Sequence, residues 1–451
     1  MHISHATVRV KAPASKSMSH RAVIAAALAQ GQSRLTGVLD SVDLDRTMDC
    51  LRACGATIER RGDTVVVDGV SGLPRGGENE PANLNVHESG TTCRLMTGVV
   101  AAGRGRFRLH GAPRMHERPI GALANVLEDL GAQFVWEGKK GFPPFVLSAS
   151  GFPGGAVTVD AGESSQYLSG VLLAAACARE TTTVALGGEK VVSWPYVALT
   201  LQILDDFGID VRVQTRSQGG QWADTDWRDM DAARPGHVRF VVQPGAYVSG
   251  DYAVEGDWSN ASYFLAAGAV GPHPVQVSGL RMDSLQGDRA MLDILGLMGA
   301  RITWSEDGVL VAPPVSGGLR GVTVDMGSCP DIVPTVAVVA AHATSRTVIT
   351  GAAHLRIKEC DRLDATATEL AKVGAKVTTT DDGLIIDPAP IRPGAVDLAT
   401  YGDHRIPMSL SVLELSGVVP HFDTPECVSK SFPGFWDEWA AVRHVVAGRA
   451  E

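Results

Sequence analysis

The sequence predicts an α/β (α+β) chain built from six related units, grouped as two globules of three. Three observations carry this. First, a helix phrase ending in glycine returns at Met48–Ile58, Ala124–Phe134, Leu201–Val211, Met291–Ile302 and Ala367–Val377. Its glycines (55, 131, 208, 299 and 374) are spaced by 76, 77, 91 and 75 residues, against about 75 for one sixth of the chain. Second, the apolar pattern after each glycine changes from helical to alternating. Third, an Ala-rich apolar helix recurs out of phase with the first, and such a helix is buried on most sides.

In chain order, Met1–Val10 alternates like a strand. Ala-rich segments follow at 22–29, 95–102, 168–178, 261–269, 333–341 and 406–412. The glycines that end the repeated helices fit a left-handed terminator. Gly62-Asp63, Asp307-Gly308 and Asp382-Gly383 mark hairpins after three of them. The long gap in the third unit is filled by a polar insertion, roughly Thr215–His237. The sixth unit is degenerate near Trp436–Val446. Boundaries fall near Ala14 and Tyr252–Gly256. One domain is then 15–253. The second is 1–14 plus 254–451, with the N-terminal strand joining the C-terminal globule through a double crossover.

Of 451 residues, 45% are apolar, and the net charge is −10. That favours a sizeable core and argues against a nucleic-acid partner, which calls for a basic stripe. No apolar run reaches the length of a membrane span. The seven cysteines form no Cys-x-x-Cys, and no Cys/His cluster has zinc spacing. No secretory signal is visible at the N-terminus. Reduced thiols, a cytoplasmic monomer and no metal or cofactor are expected.

Chemistry-bearing residues concentrate where the buried helices begin, and helix N-termini attract anions. The segment Ser15-Lys16-Ser17-Met18-Ser19-His20-Arg21 brings two cations and three hydroxyls to one such start. Ser164-Ser165-Gln166 adds hydroxyls and an amide, while Asp331, His404 and Arg405 lie at two others. A serine or aspartate at a single start would be an ordinary cap. Six starts with this accompaniment point to a site. Outer helices are preceded by Arg114–Pro119, Arg356–Arg362 and Glu426–Pro433. Lys358, Glu359 and Arg362 are expected around one helical turn, holding a carboxylate between cations.

Seven phrases together resemble the 5-enolpyruvylshikimate-3-phosphate (EPSP) synthase family over nearly the whole chain. They are Ser15–Arg21, Gly90–Arg94, Pro113–Pro119, Ser164–Gln166, Lys358–Arg362, Asp403–Arg405 and Lys430–Pro433. The resemblance implies a two-domain inside-out barrel, each domain of three βαβαββ repeats with buried parallel helices. It implies transfer of the enolpyruvyl group of phosphoenolpyruvate to the 5-hydroxyl of shikimate 3-phosphate, releasing phosphate. It places phosphoenolpyruvate against Lys16, Gly90, Arg118, Gln166, Arg362, Arg405 and Lys430. It places shikimate 3-phosphate against Lys16, Ser17, Arg21, Ser164, Ser165, Gln166, Ser193, Tyr196, Asp331 and Lys358. Glu359 is the expected proton carrier at carbon and Asp331 the base for the 5-hydroxyl. Lys16 would serve as relay or charge stabiliser, and His404 would support Glu359.

Three positions depart from the family pattern: Glu88 and His354 stand where Asn is common, and Trp194 where Lys is common. Two other readings compete. A UDP-N-acetylglucosamine enolpyruvyl transferase would carry Asn after the first Lys and a Cys in the loop before the outer helix. Here Ser17 follows Lys16, and Pro113–Pro119 has no Cys. A non-catalytic anion-binding repeat protein would be expected to lose part of the set Lys16, Asp331 and Glu359.

Overall fold

The structure, a computed structural model, describes residues 7–446. The first six residues of the alternating N-terminal stretch lie outside them. The chain forms two compact units, Ser15–Val254 and the segment from Glu255 onward together with that up to Ala14.

The first unit holds helices α1 (Lys16–Leu28) and α2 (Val42–Ala53), α3 (Gly90–Ala101) and α4 (Gly121–Asp129), and α5 (Ser165–Ala175) and α6 (Trp194–Asp206). Each pair belongs to one βαβαββ repeat. In the middle repeat, Ala82–His87 runs parallel to Arg104–Gly111 across α3. After α4, Gln133–Trp136 and Phe145–Ser150 close the sheet antiparallel. The first repeat is completed by Asp251–Ala253, which pairs parallel with Gln32–Thr36. In the third repeat the polar insertion adds Trp222–Asp224 as an edge strand, making that repeat's sheet five-stranded. Odd-numbered helices are the interior: α1 is buried from Met18 through Leu28. From Ala22 to Leu28 every residue is apolar, so this part has no polar face to turn outward. α3 and α5 meet almost backbone to backbone. A Cβ on Gly98 would lie 2.3 Å from the Gly170 carbonyl oxygen, so glycine there is a packing requirement.

The second unit holds α7 (Trp258–Val270), α8 (Ala290–Leu297), α9 (Val333–Ala341), α10 (Arg362–Lys372), α11 (Arg405–Leu410) and α12 (Phe435–Val446). Val8–Lys11 supplies the first strand of its first sheet, parallel to Val275–Ser278. All three expected hairpins form, but only Gly62-Asp63, in the first unit, is itself the two-residue loop. The other two turn through Glu306-Asp307 and Asp381-Asp382, with Gly308 and Gly383 just past the turn. Among the described residues, the strands of the sixth repeat are the parallel pair Gly394–Leu398 and Val418–Phe422 on either side of α11, with α12 in place of a hairpin. An aromatic cluster fixes that end: Phe264 lies 6.1 Å from Phe432 and 5.8 Å from Trp439, ring centre to ring centre. Pairs of this kind add about 0.5–1.5 kcal/mol each beyond their buried area. They anchor the segment carrying Lys430.

The five glycines ending the repeated helices have φ of +102°, +92°, +77°, +101° and +93°, the left-handed region their position implied. One local expectation fails. Lys358 and Glu359 are not on a helical turn with Arg362, because α10 begins at Arg362 with Asp361 as its cap. The Asp361 carboxylate accepts from the amides of Leu363 and Asp364, both at 3.1 Å, and so sets the start at Arg362, four residues after Lys358.

Candidate active site

Within the first unit, the polar residues gather at the starts of α1, α3 and α5. Ser15, Ser89 and Ser164 are the caps, and their hydroxyls accept from Met18, Thr92 and Gln166 amides. Lys16 Nζ lies 2.5 Å from Asp43 Oδ2, from the first turn of α2, and both side chains are largely buried. Arg21 is 1% exposed. Its guanidinium donates to Thr200 Oγ1 at 2.8 Å, to the Ser17 carbonyl at 2.9 Å and to the Tyr196 carbonyl at 3.0 Å. Burial lowers its pKa to about 10. Arg21 thus ties α1 to the start of α6, where Ser193 sits in the left-handed region at φ +55°.

Gln166 bridges two helices: its amide nitrogen donates to Thr91 Oγ1 at 2.9 Å, and its oxygen accepts from Arg94 at 3.2 Å. Ser165 is the first residue of α5 and is buried. Gly90, the first residue of α3, faces Arg118. A Cβ there would lie 2.6–2.8 Å from the Arg118 guanidinium, so only glycine leaves this fork in place. Arg118 follows the short 3₁₀ turn Pro113–Glu117 and is buried. Glu88 immediately precedes the Ser89 cap.

In the second unit, Arg362 is the hub. It is 2% exposed and donates to Asp403 Oδ2 at 2.7 Å, Asp331 Oδ1 at 2.9 Å and Glu359 Oε2 at 3.0 Å. Burial alone would weaken its charge. The carboxylates of Asp403, Glu359 and Asp331 outweigh that and raise its pKa. Asp331 lies in the 3₁₀ turn before α9, and its other oxygen accepts from Arg405 at 2.7 Å. Glu359 Oε1 lies 3.5 Å from Lys430 Nζ. Asp403 also accepts from the Arg405 amide at 3.0 Å, which orients the start of α11. His404 Nδ1 is 3.7 Å from Asp403 Oδ1. His354 is buried in the turn Ala353–Ile357, and Lys358 follows that turn directly.

The two carboxylates read from the sequence as acid and base, Asp331 and Glu359, are thus joined through one guanidinium. Sequence reasoning did not assign Asp43, Arg94 or Asp403 a place in the site. Asp403 stood in a quoted phrase, beside two residues that were assigned. Asp43 lies 27 residues from Lys16, and no local pattern links them. Trp194, where the family pattern has Lys, is buried and donates from Nε1 to the Met230 carbonyl at 2.7 Å. It tethers the polar insertion, a structural use of the position.

Asp288 is a further buried carboxyl, hydrogen-bonded by the Ser259 hydroxyl. Burial first, then the Asp331 charge, raise its pKa well above the carboxylate range. The folded chain therefore holds this proton more tightly than the unfolded chain. The resulting stability is full below the ordinary carboxylate range and is lost as pH rises toward neutrality. Asp288→Asn should flatten the fall in melting temperature between about pH 4 and pH 7. Parallel profiles for the two proteins would contradict this.

A family model described as EPSP synthase (3-phosphoshikimate 1-carboxyvinyltransferase) matches residues 2–226 and 230–439. The chain is 38% identical over 446 residues to a 3-phosphoshikimate 1-carboxyvinyltransferase of Aeromonas salmonicida (strain A449), covering 98% of each. It is 40% identical over 428 residues to that of Methanoculleus marisnigri, covering 94% of each. Among solved structures it is similar to EPSP synthase from Acinetobacter baumannii, with TM-score 0.73, 27% identity, and 96% and 95% of the two chains covered. The enolpyruvyl transferase NikO from Streptomyces tendae has TM-score 0.73 at 21% identity over 96% and 94% of the chains, a likeness of fold alone.

Proposed function

The chain belongs to the EPSP synthase family and is an enolpyruvyl transferase of the shikimate pathway, and from that premise we propose how its residues divide the work. The substrates are shikimate 3-phosphate and phosphoenolpyruvate. Both are phosphorylated and carboxylated, so they call for forked cations and free helix N–H groups.

In the first unit, Lys16, Gly90, Arg118 and Gln166 receive phosphoenolpyruvate. Lys16, Ser17, Arg21, Ser164, Ser165, Gln166, Ser193 and Tyr196 receive shikimate 3-phosphate. The second unit contributes Arg362, Arg405 and Lys430 toward phosphoenolpyruvate, and Asp331 and Lys358 toward shikimate 3-phosphate. Asp331 takes the proton of the 5-hydroxyl, and that oxygen bonds to the central carbon of phosphoenolpyruvate. Glu359 gives a proton to the methylene carbon in the same addition. The tetrahedral adduct then expels phosphate, and Glu359 takes a proton back from the methyl group. Lys16 stabilises charge at the departing phosphate, and His404 supports Glu359.

The observation that carries this reading is the Arg362 hub. A single buried guanidinium fixes Asp331 and Glu359 at 2.9 and 3.0 Å, and their other oxygens meet Arg405 and Lys430. Two carboxylates are held in one place with different cations beside them, an arrangement suited to separate acid and base tasks. The testing experiment is phosphate release. Release should require shikimate 3-phosphate and phosphoenolpyruvate together. Release with UDP-N-acetylglucosamine in place of shikimate 3-phosphate would overturn the substrate assignment.

Arg118→Ala should chiefly weaken use of phosphoenolpyruvate. Loss of a charge-assisted contact costs about 1.5–3 kcal/mol, roughly 10- to 100-fold in kcat/KM. Direct binding of shikimate 3-phosphate should change far less. Equal losses for both substrates in a folded variant would refute the assignment.

A further inference from the structure

We propose that His20 is a positioning residue for enolpyruvyl transfer: through the hydroxyls of Thr47 and Thr92 it holds the N-terminus of α3 and the Lys16–Asp43 pair. The inference rests on the proposed phosphoenolpyruvate role of Gly90, Arg118 and Lys16.

His20 lies on α1 and is fully buried. A continuous chain of side-chain contacts leaves its ring. Nδ1 is 2.7 Å from Thr47 Oγ1 on α2, and Thr47 Oγ1 is 2.7 Å from Thr92 Oγ1 on α3. Thr92 Oγ1 is in turn 2.7 Å from the hydroxyl of Ser89, the α3 cap. The Asp43 carbonyl lies 3.5 Å from Thr47 Oγ1 and 3.3 Å from Thr92 Oγ1. Asp43 is the residue whose carboxylate pairs with Lys16.

The ring is neutral. Burial is the largest cause, and Lys16 and Arg21 add to it, so its pKa falls to about 3 despite Asp43. A neutral imidazole carries one N–H. Nε2 is buried with no hydrogen-bond partner among the described residues. A buried orphan N–H is rarer and costlier than an orphan lone pair, so the proton belongs on Nδ1. Nδ1–H then donates to Thr47. The Thr47 hydrogen is left for Thr92 or the Asp43 carbonyl, and the Thr92 hydrogen for Ser89 or the same carbonyl. In the other tautomer Thr47 would spend its only hydrogen on the ring, and the Asp43 carbonyl would lose a donor. One imidazole therefore fixes the direction of the first link and leaves the Thr47 hydrogen for the polar layer formed by Thr92, Ser89 and the Asp43 carbonyl. As a filler it would be a poor choice, since an apolar residue would leave no buried nitrogen unsatisfied.

The test combines ¹⁵N-histidine NMR of the full-length protein with steady-state kinetics of His20→Leu, His20→Asn and Thr92→Val. The His20 signal is identified by its loss in His20→Asn. The inference predicts a proton on Nδ1 at neutral pH. Thr92→Val, with an unchanged melting curve, should raise the KM for phosphoenolpyruvate about 5- to 10-fold. The KM for shikimate 3-phosphate should stay within about twofold. His20→Leu should do the same, and His20→Asn, which keeps an N–H donor, should recover most of the loss. A proton on Nε2, an equal rise in both KM values, or a folded Thr92→Val with unchanged kinetics would each overturn it. If His20→Leu does not fold, the native spectrum and the near-isosteric Thr92→Val decide. Failure of the underlying assignment reads differently, because Arg118→Ala would then also leave the phosphoenolpyruvate KM unchanged.

Discussion

Glu359→Gln should bind shikimate 3-phosphate normally yet turn over roughly 10²-fold or more slowly, as expected when general acid–base catalysis is lost. Glutamine keeps the shape and the reach toward Arg362 and Lys430. It removes the only feature the proposed chemistry needs from this side chain, a proton that can be given and taken back. If Glu359 served only to balance the charges of Arg362 and Lys430, the variant would lose stability rather than rate. The measurement is turnover alongside a melting curve and a direct binding titration of shikimate 3-phosphate. Near-normal turnover in a folded variant would move the proton-transfer role to Lys16 or Asp331.

Arg362→Ala should be the most destabilising single change in the site. Arg362, Asp403 and Asp331 form an ion network in which Asp403 is 0% exposed. Removing one partner of a buried pair leaves uncompensated charge and costs about 3–5 kcal/mol. Arg362→Lys should not restore it, because an ammonium lacks the planar fork that serves Asp403, Asp331 and Glu359 at once. Chemical denaturation of both variants checks this. A midpoint within error of the parent protein for Arg362→Ala would show that the hub is not a source of stability.

Much of the fold was legible because its signals are local. A glycine that must adopt positive φ ends each repeated helix, and the hydrophobic period changes at that residue. The candidate site was legible as a set of positions but not as a network. Lys16 needs Asp43, and Gln166 needs Arg94, across 27 and 72 residues of sequence. Those pairings are decided by which buried helices lie side by side. The expected helical turn through Lys358, Glu359 and Arg362 failed for a local reason that was also readable. Asp361 is a strong cap, and a cap moves the helix start past Glu359. The Glu359–Arg362 contact survives because the turn before the helix brings the carboxylate back onto the guanidinium. Trp194 shows the converse: a departure from the family pattern became part of the core, and its function there depends on an insertion whose contacts no motif describes.

The central claim is that this site adds a proton to carbon and an oxygen to its neighbour before phosphate leaves. Running the reaction in deuterium oxide with both substrates, and reading the methylene group of the product by NMR, tests it most directly. Addition followed by elimination passes through a methyl group, so deuterium should appear in the methylene position of the product, and phosphate release and deuterium entry should both collapse in Glu359→Gln. Phosphate release at full rate with a wholly protiated methylene group would contradict the account.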